Sequence, residues 1–306
     1  MRVFLCAAAA GGIMLGGCAR TGHPLKASPP SGSAGTTNSY EVIATTSTLA
    51  SLVKAVADDR VHLDTLVPLG ASPETYEPTP RDLVSLEHAG LLIENGAGLE
   101  AWLTKTIESA RNPALQVLVL SSEIPGMQDG HYANPHFWLD PVYAQIYVKE
   151  IAAGLSRLDP AGAPLYQRNA SAESKRLQQL DLWIRGQIAS IPPQDRVTIT
   201  FHDAWYYFDR RYGIRDLGSV VTSPGKEPSA AEFAALIAKA KANHVRAAFA
   251  EPEFSPKLIN ELASSANIRT VTNLYDDSLG RTPQLSTYEG MLRYDVNTIV
   301  GALKNG

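Results

Sequence analysis

Residues 141–190 carry no strand signal, and this stretch limits the fold more than any other feature of the chain. Leu155, Leu158, Leu165, Leu177, Leu180, Trp183, Ile184 and Ile188 recur in it at roughly helical spacing. Asp159-Pro160 marks a break. The spacing beyond that break predicts one helix of about 30 residues, about 45 Å long at about 1.5 Å per residue, enough to run across two lobes.

On either side of that stretch, strand-like and helical runs alternate. Residues 41–46 (EVIATT) read as a strand, and 49–57 as a helix with Leu49, Leu52, Val53 and Val56 on one face. A second strand lies at 61–67. Thr79-Pro80 opens a helix, with Thr as N-cap and Pro at the first helical position. Residues 91–94 and 117–120 are short buried strands. The alternation resumes with a strand at 197–201, a helix from Asp203 and a strand at 219–221. A capping box at Ser229 and Glu232 opens a helix through Lys241. A strand at 245–250, a helix at 256–265, a strand at 270–274 and a helix at 286–303 complete the chain. The expected fold is α/β: two lobes with parallel sheets flanked by helices, joined by one long backbone helix. The lobes are placed at 40–157 and 191–306, with the linking helix at 158–190. No internal sequence repeat stands out.

Residues 1–17 (MRVFLCAAAAGGIMLGG) have one basic residue and then an apolar run too short to span a bilayer, which needs about 20 residues. They read as a secretory signal peptide. Leu15-Gly16-Gly17-Cys18 looks like a lipobox, which makes Cys18 the lipidation site. Residues 18–39, rich in Gly, Ser, Pro and Thr, read as a flexible tether. The chain has 2 Cys, and Cys6 falls in the signal, so a disulfide framework is excluded. Hydrophobic residues at 44% supply a core and exclude general disorder. A net charge of −4 argues against nucleic acid and against polybasic membrane binding.

There are 7 His, and most read as ordinary. His23 lies in the tether, His62 inside a strand, and His88 and His244 in helices or at their ends. Two stand out. His136 lies in Asn134-Pro135-His136-Phe137-Trp138-Leu139-Asp140-Pro141, and His202 directly follows the 197–201 strand. Glu74 lies in the loop after the second strand, and Asp276 and Asp277 follow the 270–274 strand. These sites all fall beyond the carboxyl ends of predicted parallel strands, where open α/β sheets bind ligands. Imidazole and carboxylate together suit a divalent transition metal.

The segments PETYEPTPRDL, NPHFWLDP, TFHDAWYYFDRRYG, EPSAAEF, AEPEFSPK and YDDSLG run through the whole body. On these segments the body resembles the TroA-like (cluster A-I) metal-binding substrate-binding lipoproteins of bacterial zinc and manganese ABC importers. In that family four side chains hold one divalent ion between two lobes joined by a backbone helix. Carried over by position, His136, His202 and Asp277 match three of them. The first is usually a His after Pro, and Glu74 stands there instead. A carboxylate can still ligate, so Glu74 is retained. Asp203, Trp205 and Asp276 are candidates for orienting the ligands, and Glu251 for backing up Asp277. Zinc-type members often carry a His-rich loop before the Pro-His segment. Residues 126–133 are short and hold only His131, so no metal-collecting loop is expected.

The resemblance implies an extracytoplasmic, membrane-anchored, monomeric carrier that is not an enzyme. Its cargo would be Zn²⁺ or Mn²⁺, with Fe²⁺ also admitted, delivered to an ABC permease and its ATPase. Neutral imidazoles are needed, so affinity should fall as pH drops towards about 6. The alternatives are a metal-dependent hydrolase with an open coordination position, or a surface adhesin.

Overall fold

A computed structural model describes residues 40–125 and 134–304. The signal-peptide, tether and Cys18 readings lie outside the described residues, as does the 126–133 loop with His131.

The first sheet contains β1 (Tyr40–Ala44), β2 (Val61–Thr65), β3 (Leu91–Glu94) and β4 (Gln116–Val119). Its order is β2-β1-β3-β4 and every pair is parallel. Parallel neighbours need crossovers, and α1 (Ser47–Ala57), α2 (Pro80–His88) and α3 (Leu103–Ala110) supply them. The helix start expected at Thr79 forms as a capping box, with Asp82 closing it and Pro80 in the first turn. The sequence pattern does not anticipate α3. That helix buries only Leu103, Thr106 and Ala110, too thin a stripe to register as a period.

The strand-free stretch folds as α4 (Pro141–Leu158) and α5 (Ala163–Ala189), separated by a turn at Pro160–Gly162. The long helix has 27 residues, about 40 Å at about 1.5 Å each. It packs on α4, on α1 and on the C-terminal helix.

The second sheet contains β5 (Val197–His202), β6 (Arg215–Val221), β7 (Ala247–Phe249) and β8 (Arg269–Val271), in the order β6-β5-β7-β8, again all parallel. Its helices are α6 (Tyr206–Tyr212), α7 (Ala230–Ala242) and α8 (Lys257–Ala266), and α9 (Tyr288–Lys304) is the last element of the described residues. The two sheets share one strand order although no repeat is visible in sequence. The observed β6 begins at Arg215, earlier than expected at 219. It is an edge strand whose first residues, Arg215 and Asp216, are exposed, so apolar patterning is not required of them.

Strand periodicity explains the layers. Val42 and Ala44 face a central core while Ile43 faces an outer one with Leu66, Leu86 and Leu92. The central core takes Leu177, Leu180 and Ile184 from α5, Leu292 from α9 and Phe249 from the second sheet. It therefore runs without a break from one lobe to the other. Ile199 and Phe201 of β5 point to a third cluster with Val220, Leu236 and Leu262. The same alternation puts Thr198, Thr200 and His202 on the opposite face of β5. No helix among the described residues is long and apolar enough to cross a membrane.

Candidate metal centre

The 134–141 segment is built around one imidazole. Asn134 Oδ1 accepts from both the backbone N–H of His136 and its Nδ1, each at 3.0 Å. The other end of the Asn134 amide donates to the carbonyl of Asp203. Trp138 donates its indole N–H to the carbonyl of Asp276 at 2.7 Å. Tyr288 donates to the Trp138 carbonyl at 2.5 Å. Asp140 then caps α4 by accepting from Val142 N at 2.8 Å, and pairs with Arg211 at 3.1 Å. With Nδ1 engaged, His136 has only Nε2 free to face the cleft.

His202 is the last residue of β5 and is fully buried. Its Nδ1 lies 3.2 Å from Glu251 Oε1 and 3.8 Å from Asp276 Oδ2. Its Nε2 points at His136 Nε2, 3.4 Å away.

Glu74 is held by its neighbours. Trp102 donates to the Pro73 carbonyl at 2.7 Å, and Tyr76 packs edge-on against Trp102 and donates to Asp82 at 2.8 Å. Ser72 Oγ accepts from Glu74 N at 3.3 Å and donates to Asp277 Oδ2 at 3.2 Å. Asp277 takes its backbone position from Asp276, whose Oδ1 accepts the Asp277 N–H at 2.6 Å.

These elements bring all of the expected ligands together. Around His136 Nε2 stand His202 Nε2 at 3.4 Å, Asp277 Oδ1 at 3.4 Å and Glu74 Oε1 at 3.6 Å. The spacings are too long for charge-assisted hydrogen bonds, which run at about 2.7–2.9 Å. They match another arrangement: donors bonded to one ion at about 2.1 Å in tetrahedral geometry stand about 3.4 Å apart. Asp277 Oδ1 is buried and has no hydrogen-bond partner among the described residues. Glu74, His136 and His202 form one set of atoms able to hold a cation, and His202, Glu251 and Asp276 form a second.

The electrostatics are those of a desolvated acidic pocket. Burial, followed by the Asp277 charge, pushes Glu74 up to about 7. Burial holds His136 below the usual imidazole range. Burial alone would lower His202 as well, but Glu251, then Asp277 and Glu74, outweigh it and push the ring up to about 9. Burial would raise Asp277, but the two imidazoles and Ser72 bring it below the usual carboxylate value. Asp276 is driven well upward by burial and by Glu251. Glu253, buried and then repelled by Asp277 and Glu251, goes to about 8.

The supporting residues divide. Glu251 was expected behind Asp277, and its close contact is instead with His202 Nδ1. Asp276 lies between Asp277 and His202. Asp203 enters through its carbonyl. Trp205 packs edge-on against Phe208 at 5.2 Å, and its buried indole N–H has no hydrogen-bond partner among the described residues. His62 pairs with Glu41 on the surface, His88 ends α2, and His244 follows α7 at φ 51°. Sequence reasoning missed Asn134, Ser72 and Glu253. Asn134 had a signal, since it opens the same motif as His136. A groove of about 930 Å³ lined by Ser51, Lys54, Asn169 and Thr287 includes none of the converging side chains.

Known proteins share this fold and match along most of the chain. Residues 42–302 match the family described as zinc-uptake complex component A, periplasmic. The manganese-binding lipoprotein MntA of Halalkalibacterium halodurans is 27% identical over 266 residues, 86% of this chain and 88% of that one. The iron-binding protein YfeA of Yersinia pestis is 29% identical over 269 residues, 86% of each chain. The periplasmic zinc-binding protein TroA of Treponema pallidum superposes with a TM-score of 0.81 at 29% identity, covering 87% of this chain and 99% of that one. The Cd-bound periplasmic metal-binding protein of Candidatus Liberibacter asiaticus superposes with a TM-score of 0.76 at 25% identity, covering 86% and 98%. The match across both lobes and the linking helix makes this chain a member of the periplasmic zinc-uptake complex component A family.

Proposed function

We propose that Glu74, His136, His202 and Asp277 bind one divalent transition-metal ion as cargo, which the chain captures outside the cytoplasm and passes to an ABC permease driven by its ATPase. The observation that carries this reading is the spacing around His136 Nε2, with three other donors at 3.4, 3.4 and 3.6 Å. Two nitrogens and two carboxylates suit Zn²⁺ as a closed tetrahedron. They also suit Mn²⁺ or Fe²⁺, because a bidentate carboxylate raises the coordination number. Relatives are named for manganese, iron and zinc, and another was solved with cadmium bound, which fits a site of this mixed kind. A monomer tethered through lipidated Cys18 by residues 18–39 keeps the cargo near the permease, with lobes at 40–157 and 191–306 around a linking helix at 158–190. No catalytic step belongs to the chain: Glu74, as a ligand, closes the position that a hydrolase would leave open.

The test is equilibrium competition for Zn²⁺ and Mn²⁺, together with elemental analysis of protein purified without chelator. His136→Ala and His202→Ala should each lower affinity by orders of magnitude, and His88→Ala should not. Equal affinity across the three dismisses the site.

A further inference from the structure

The two imidazoles face the same cleft but lean on different chemistry. His136 Nδ1 meets a neutral amide oxygen, Asn134 Oδ1, at 3.0 Å. His202 Nδ1 meets a carboxylate oxygen, Glu251 Oε1, at 3.2 Å. Glu251 and His202 are 1% and 0% exposed. Neither His202 Nδ1 nor either Glu251 oxygen makes a well-directed hydrogen bond to any described residue.

An imidazole that coordinates through Nε2 keeps its proton on Nδ1, and a buried N–H needs an acceptor. For His202 the nearest acceptor is Glu251, with Asp276 Oδ2 farther off at 3.8 Å. A carboxylate acceptor fixes the ring tautomer and raises the basicity of the coordinating nitrogen, and a neutral amide does so less. We infer that Glu251 is the positioning residue for His202: it accepts the Nδ1–H hydrogen bond, presents Nε2 to the cargo and makes His202 the stronger of the two imidazole donors. The inference rests on the ligand reading of His202 proposed above. It gives the Ala-Glu-Pro-Glu-Phe segment at 250–254 a role in the site. It also gives the buried Glu251 carboxylate a cationic or N–H partner in His202.

The experiment compares Glu251→Ala, Glu251→Gln and Asn134→Ala in the full chain, with Zn²⁺ and Co²⁺ as probes. Glu251→Ala should lower Zn²⁺ affinity by about 10- to 100-fold, the usual range for losing such a partner. Asn134→Ala should cost less. Glu251→Gln keeps an acceptor but removes the charge. It should therefore bind more weakly than the parent, shift the Co²⁺ ligand-field bands and move the His202 Nδ1–H proton resonance of the zinc-loaded protein upfield. If Glu251→Ala fails to fold, the Gln variant decides alone: unchanged affinity, bands and proton shift overturn the inference. Two zinc equivalents bound per chain would also overturn it, because Glu251 and Asp276 would then be ligands to a second ion. Full affinity in Glu251→Ala beside lost affinity in His202→Ala sinks this inference only. Full affinity in both sinks the ligand reading as well.

Discussion

Ser72 donates its hydroxyl to Asp277 Oδ2 at 3.2 Å, joining residues 205 positions apart in sequence and in different lobes. The same hydroxyl accepts the backbone N–H of Glu74 at 3.3 Å. One side chain thus orders an acidic ligand candidate from each lobe. Around it the loops are stitched further, by Gly70 N to Ser278 Oγ at 2.9 Å and by Leu279 N to Ser47 Oγ at 2.9 Å.

Removing that hydroxyl should weaken metal binding without unfolding the protein. Ser72→Ala is expected to reduce affinity by about 10-fold, the low end for loss of a group that orients a ligand. The change should appear mainly as faster release. Stopped-flow transfer of Zn²⁺ to a chelator measures it, and an unchanged release rate would contradict the role assigned to Ser72.

Metal-free protein should become less stable as pH rises from about 6.5 to about 9. Glu74 and Glu253 are raised from 4.5 to about 7 and about 8, so the native state holds protons the unfolded chain has released. His202, raised from 6.5 to about 9, contributes stability that is full below 6.5 and is lost as pH climbs through about 9. His136 is shifted the other way, downward from 6.5, and Asp277 downward from 3.8, so their opposite slopes lie below this window. Thermal unfolding of chelator-treated protein across the window checks the sign. Saturating Zn²⁺ should flatten the profile, because the ion replaces the protons. A metal-free Tm that holds steady or rises would contradict the electrostatic account.

The lobes should shift only modestly between metal-free and metal-bound forms. Leu177 and Ile184 of α5 share one core with Val42 of the first sheet and Phe249 of the second. A wide hinge opening would expose part of that core to water, at about 25 cal/mol per Å² of apolar surface. Small-angle scattering of both forms should give nearly superimposable curves. A clear change in radius of gyration would contradict this.

Much of the fold was legible because burial imposes periodicity. Val42, Ile43 and Ala44 alternate between two cores, and the helix spacing of Leu177, Leu180 and Ile184 is visible without coordinates. The exceptions are instructive. Arg215 and Asp216 open an edge strand that needs no apolar face, and α3 buries too few residues to show a period. The ligand candidates were legible because each follows a strand within a motif. Their supports were legible only in part: Asp276 and Glu251 stood out beside strand ends, but Ser72, Trp138 and the pairing of Glu251 with His202 rather than Asp277 did not. Ser72 serves Asp277, Trp138 serves Asp276 and Glu251 serves His202 across separations that only the folded chain closes.

Anomalous diffraction from crystals grown with Zn²⁺ tests the central claim most directly. A single ion is expected, bonded to Nε2 of both His136 and His202 at about 2.1 Å and to carboxylate oxygens of Glu74 and Asp277. An ion bound elsewhere, or either ring turned away from it, would contradict the account.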